Sequence, residues 1–258
     1  MPHPMFNRPG RRNNGGVFRD LVLRTILMSP PRRARWRWYA LRTRRPAQSL
    51  AFLLPLVLVY EIGARWRPDA RHAPGDLLAY GVIENLLGWF GLVGSWLPPV
   101  ILVAALVIWH RQRRQRWQVR WSALPWMLGE SVALALPLLA LSTLFEAPPR
   151  VRWLDALGAG LYEELVFRLL LISGMTWLLV KVLRLRRSPG VGLAVGLAAV
   201  VFALCHFQPL GVESLAWKPF GFRLAGGLYL SVLFLERGLG ICSGCHAAYN
   251  LLLVGLHQ

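Results

Sequence analysis

The chain has 258 residues, 55% of them hydrophobic and only 16% charged, with a formal net charge of +18. A water-soluble domain carries about a quarter charged residues, so this composition excludes an ordinary soluble enzyme. The basic excess does not indicate a nucleic-acid binder either, because the arginines cluster at the ends of long apolar runs instead of forming a phosphate-binding face.

In chain order, residues 1–45 form a basic segment rich in Pro, Gly, Asn and Arg, with no apolar run long enough to span a bilayer. Within it, "VFRDLVLRTILM" (Val17–Met28) has helical apolar periodicity mixed with basic residues and is expected to lie on a membrane surface. It lacks the continuous apolar stretch and small-residue cleavage site of a secretory signal. Residues 46–258 read as a transmembrane core.

Apolar runs of about 18 residues or more read as transmembrane helices. They are expected at about 46–64, 121–145, 156–180, 189–207, 220–235 and 239–256. Residues 77–109 are also apolar but are interrupted by "GSWLPP" (Gly94–Pro99), which suggests an interfacial or re-entrant helix feeding one span. Of the 30 Lys and Arg residues, 12 precede residue 50, five lie between Arg111 and Arg120, and four between Lys181 and Arg187. Basic loops stay on the cytoplasmic side. Counting 77–109 as one crossing puts the N-terminus and both later clusters there and gives about seven crossings. Such loops also attract anionic lipid headgroups, by about 1 kcal/mol per basic residue. The expected architecture is therefore all-α, a multi-pass protein of the cell membrane. The excess of Arg over Lys resembles a high-GC bacterial genome, which points to the bacterial inner membrane.

Ionisable side chains inside spans are expensive and mark functional positions. The richest set is "LYEELVFRLLL", containing Glu163, Glu164 and Arg168. On a 3.6-residue helix Glu164 and Arg168 share a face and can pair, whereas Glu163 points elsewhere and is less neutralised. A buried carboxylate of that kind suits proton abstraction from water, although simple helix pinning by Arg168 explains the same residues. His206 lies four residues after Phe202 in "FALCHFQP". His246 and Asn250, also four apart, sit in "ICSGCHAAYN" (Ile241–Asn250). Either pair alone reads as interhelical hydrogen bonding or as donors for an oxyanion. Glu61, Glu84 and Glu130 are further carboxylates in or near apolar runs and receive no role.

The three sets occur in order on three different expected helices. "EELVFR", "FALCH" and "HAAYN" resemble the motifs E-E-x-x-x-R, F-x-x-x-H and H-x-x-x-N/D of the intramembrane glutamic endopeptidases. That family includes the type II CAAX prenyl proteases and bacterial bacteriocin-processing and immunity proteins (the CPBP or ABI group), and the resemblance covers roughly residues 120–257. It implies that Glu163 activates water with help from His206. It also implies that His246 and Asn250 bind the oxyanion, while Glu164, Arg168 and Phe202 support the site. No cofactor and no metal are implied, and the partner is a membrane-associated protein or peptide.

Rival readings remain open at this point. Cys242, Cys245 and His246 spell a haem-attachment signal, and C-x-x-C alone suggests a redox dithiol. Both lack their usual context, and buried cysteine generally behaves as a small hydrophobe. Glu163, His206 and His246 are chemically suitable zinc ligands, without the H-E-x-x-H signature. A non-catalytic membrane scaffold or immunity protein of the same fold is the alternative from another class.

Overall fold

The computed structural model describes residues 32–66, 78–89, 91–92, 94, 96–145, 153–208, 211 and 214–256. The chain divides into two compact units, Met1–Tyr39 and Ala40–Gln258. Of the first unit, residues 32–39 are described and are helical; they begin helix α1 (Arg32–Thr43). The expected surface segment Val17–Met28 lies outside the described residues.

Among the described residues, eight further helices follow in the second unit. They are α2 (Pro46–Trp66), α3 (Leu78–Gly88), α4 (Leu97–Gln112), α5 (Leu124–Phe145), α6 (Trp153–Val182), α7 (Arg187–Leu204), α8 (Trp217–Arg237) and α9 (Leu239–Leu256). No strand occurs among the described residues. With its lead-in turn α5 runs from Trp121, and α2, α5, α6, α7 and α9 are each long and apolar enough to cross a membrane. The other two segments counted toward seven crossings are of a different kind. Residues 77–109 contain two separate helices, α3 and α4, the second opened by Pro98 and Pro99 in its first turn. Proline suits that position because its missing N–H has no partner there anyway. Helix α8 has 21 residues but carries Lys218, Arg223, Glu236 and Arg237.

Outward faces are apolar at helical spacing: Leu54, Leu58 and Ile62 on α2, and Leu128, Val132 and Leu136 on α5, are all exposed. In water such stripes drive association, whereas in hydrocarbon they match their solvent. Trp66 ends α2, Trp121 precedes α5 and Trp217 begins α8, each more than two-thirds exposed. That is where amphipathic indoles settle at the headgroup level.

Helix α9 is the centre of the bundle, packed against α5, α6, α2 and α8. Its early residues Ile241, Cys242, Ser243 and Cys245 are fully buried. In a bilayer, helices associate through close packing of small residues, since lipid tails are as apolar as Leu. A Cβ on Gly160 of α6 would lie 2.6 Å from the Ala247 amide nitrogen of α9. Gly238, between α8 and α9, has φ 86°, in the left-handed region where glycine is at ease.

Polar ties join the helices at one end of the bundle. Gln48 donates to the Arg120 carbonyl (3.1 Å) and accepts from its amide (2.9 Å). Arg237 forms a two-pronged ion pair with Glu130, both contacts at 2.6 Å, with side chains 15% and 20% exposed. Glu130 is thus a partner that holds α5 to α8. Arg44 pairs with Glu236 at a more solvated position, 40% and 66% exposed. Exposed pairs contribute about 0–1 kcal/mol, whereas stranding one member of a desolvated pair costs several. Arg237→Ala is therefore expected to lower the thermal unfolding midpoint in detergent well below that of Arg44→Ala, measured side by side.

Candidate active site

The site forms where α6, α7 and α9 meet. Helix α6 is α-helical from Trp153 to Glu163 and then widens into π-helical turns from Glu164 to Ile172. This departs from the uniform 3.6-residue helix expected from the sequence. Wide turns of this type are rare and recur at functional sites. They bring consecutive side chains closer in angle, and here Glu163 and Glu164 both reach the same His246.

Glu163 is 7% exposed and faces two imidazoles. Its Oε1 lies 4.0 Å from His206 Nε2, and its Oε2 lies 4.0 Å from His246 Nε2. His206 stands just past the end of α7, with Nδ1 2.8 Å from the Phe202 carbonyl. A carbonyl oxygen only accepts, so Nδ1 carries the proton and neutral His206 presents the Nε2 lone pair toward Glu163. His246 Nδ1 lies 2.7 Å from Glu164 Oε1. That carboxylate holds a proton on Nδ1 and turns the Nε2 side of the ring toward Glu163.

Glu164 is completely buried. Its Oε2 lies 3.1 Å from Arg168 Nε, as the spacing of the two residues leads one to expect, and also accepts the Cys242 thiol at 2.9 Å. The Arg168 contact has ion-pair distance but not hydrogen-bond direction, and none of the guanidinium nitrogens has a hydrogen-bond partner among the described residues. The guanidinium instead lies over the Phe202 ring, 4.2 Å from its centroid, a cation–π contact that is strongest when desolvated. Phe202 also meets the rings of Phe167 (5.2 Å), His206 (4.9 Å) and His246 (6.4 Å). It is the apolar wall common to all three motifs.

Asn250 lies one helical turn beyond His246 on α9 and is half-buried. Its side chain forms no hydrogen bond among the described residues. The structure thus brings Glu163, Glu164, Arg168, Phe202, His206 and His246 together, and leaves Asn250 one helical turn farther along α9 with no side-chain hydrogen bond to the others among the described residues. Cys242 is the contact that sequence reasoning missed. It was expected to be a small hydrophobe, yet its thiol serves the Glu164 carboxylate, and a cysteine in an apolar run gives no sign of that. Full burial of Cys242 and Cys245 leaves no exposed thiol pair for haem attachment. Cys205, one residue beyond the end of α7, is half-buried. Among the described residues, no three His, Cys, Asp or Glu side chains form a metal-binding group.

No curated protein and no solved structure matches the chain significantly. Residues 145–252, which hold every residue of this site, match the family described as type II CAAX prenyl endopeptidase Rce1-like, and that stretch is what the chain shares with the CAAX protease-like proteins.

Proposed function

We propose that this chain is an intramembrane endopeptidase that cleaves a membrane-associated substrate with water activated by Glu163. The observation that carries this reading is the Glu163 carboxylate, 4.0 Å from the Nε2 atoms of two histidines inside an apolar bundle. A separation of 4.0 Å is too long for a direct hydrogen bond. One water bridges it well, donating one hydrogen to the carboxylate and the other to the His206 lone pair.

Attack of that water on the scissile carbonyl forms the new C–O bond and passes a proton to Glu163. Negative charge develops on the former carbonyl oxygen. Hydrogen bonds from His246 Nε2–H, in its doubly protonated form, and from the Asn250 amide stabilise it, with Asn250 turned toward the pocket. The intermediate then collapses by breaking the C–N bond, and Glu163 returns its proton to the departing amine. General acid–base catalysis of this type contributes about 10²–10⁴-fold, and one oxyanion donor about 10²–10³-fold. Glu164 orients His246, Arg168 offsets the charge of Glu164, and Phe202 excludes water from that pair.

The favoured substrate is a protein with an apolar C-terminal sorting tail, processed at the bacterial inner membrane; a prenylated CAAX-type end is the second candidate. Anionic headgroups meet the basic loop Arg111–Arg120. The test uses purified protein in detergent with two internally quenched peptides, one with an apolar C-terminal tail and one farnesylated with a CAAX end. Cleavage of the tail peptide, undiminished by EDTA or 1,10-phenanthroline, is expected. Activity lost in chelator and restored by zinc replaces the mechanism with a zinc-dependent one, and cleavage of neither peptide overturns the substrate assignment.

A further inference from the structure

Glu61 is a buried carboxylate that the proposed chemistry does not use. It lies on α2, 7% exposed. Its Oε1 accepts the phenol O–H of Tyr162 on α6, and its Oε2 lies 3.1 Å from Arg65 Nη1, whose side chain reaches half into solvent. Tyr162 is fully buried, and its ring meets Tyr60 edge-on at 5.5 Å between centroids. On the same two helices, a Cβ at Gly63 would fall 2.8 Å from Leu154 Cδ1. Helices α2 and α6 are therefore in tight contact, with one charge-assisted hydrogen bond crossing between them.

Tyr162 immediately precedes Glu163 and stands two residues before α6 widens at Glu164. Consecutive side chains on an α-helix hold a fixed angle of about 100°, so anchoring the Tyr162 hydroxyl also sets the direction of Glu163. That direction is finely balanced, because Glu163 is 4.0 Å from each of two imidazoles. Rotating α6 about its axis closes one gap and opens the other. Hydrogen bonds to an ionised acceptor are the stronger and shorter class, which suits this one to hold a rotation.

We infer that the Glu61–Tyr162 hydrogen bond positions Glu163 between His206 and His246 and thereby sets the turnover rate. Glu61 and Tyr162 are positioning residues, and the inference rests on Glu163 acting as the base. The test measures kcat and KM on the quenched tail peptide, together with thermal midpoints. Tyr162→Phe is expected to lower kcat about tenfold, with KM within twofold of the parent and an unchanged midpoint. Glu61→Leu does the same, while Glu61→Gln, whose amide oxygen still accepts the phenol, restores at least half of parental kcat. In a Glu163→Asp background, where the carboxylate is already displaced, Tyr162→Phe changes kcat less than twofold. Residues acting through one another show this non-additivity.

A tenfold loss that persists in the Glu163→Asp background overturns the inference and indicates a merely structural bond. So does a Tyr162→Phe enzyme with parental kcat. Should Tyr162→Phe not fold, the contrast of Glu61→Gln with Glu61→Leu decides the same question. Parental cleavage by Glu163→Gln overturns the hydrolytic mechanism itself; an inactive Glu163→Gln beside a fully active Tyr162→Phe overturns the positioning role alone.

Discussion

Glu163→Gln is expected to lower cleavage of the tail peptide by about 10²–10⁴-fold, the contribution of a positioned general base, while leaving the protein folded. Gln preserves the volume and polarity of the side chain but cannot take a proton from water. Among the described residues Glu163 makes no ion pair closer than the two histidines at 4.0 Å, so little native structure depends on its charge. Glu164→Gln has the opposite signature. Glu164 is fully buried against Arg168, His246 and Cys242, and removing its charge strands the Arg168 guanidinium in an apolar site. Breaking a buried pair from one side costs about 3–5 kcal/mol, so this variant loses thermal stability first. Activity assays and unfolding midpoints on the two variants separate the roles of these adjacent glutamates. A non-catalytic scaffold would keep its cellular phenotype with Glu163→Gln, and a hydrolase would lose it.

Gly160→Ala is expected to lose stability and activity together. The added methyl carbon meets the Ala247 backbone at 2.6 Å and its Cα at 2.8 Å, and backbone, unlike a flexible side chain, cannot step aside. Overpacking of this type costs about 1–3 kcal/mol. Here the strain is relieved by parting α6 from α9, which carries His246 away from Glu163 and Glu164 one turn later. Gly192→Ala on α7 supplies the control, because a Cβ there meets nothing within 4 Å. The measurement is the thermal midpoint and kcat of both variants in the same detergent. Equal behaviour of the two would remove the close crossing of α6 and α9 as the support of the site.

Much of this arrangement was legible from residues alone. Apolar runs marked the five long helices because a bilayer demands about 20 apolar residues per crossing. The Glu164–Arg168 pair followed from its four-residue spacing. Three features were not readable, each for a physical reason. The wide turns of α6 arise from packing, and a 3.6-residue wheel has no way to register them. For residues 77–109 the interruption at Gly94–Pro99 was read, and only the residues at which α3 and α4 stop were hidden, by apolar content on both sides. The tasks of Cys242, Glu61 and Glu130 depend on partners 78, 101 and 107 residues away in sequence, a separation at which spacing carries no information.

The great length of α6 has a consequence for how any substrate would reach Glu163. Its 30 residues exceed the roughly 20 that cross a hydrocarbon core, and Glu163 lies ten residues along from the half-exposed Trp153. At 1.5 Å per residue that is about 15 Å along the helix axis. With Glu163 as the proposed base, a scissile bond has to reach a carboxylate only 7% exposed within an apolar bundle. The chain being cut would then arrive as an uncoiled strand, which favours flexible tails over folded loops before any side-chain preference applies.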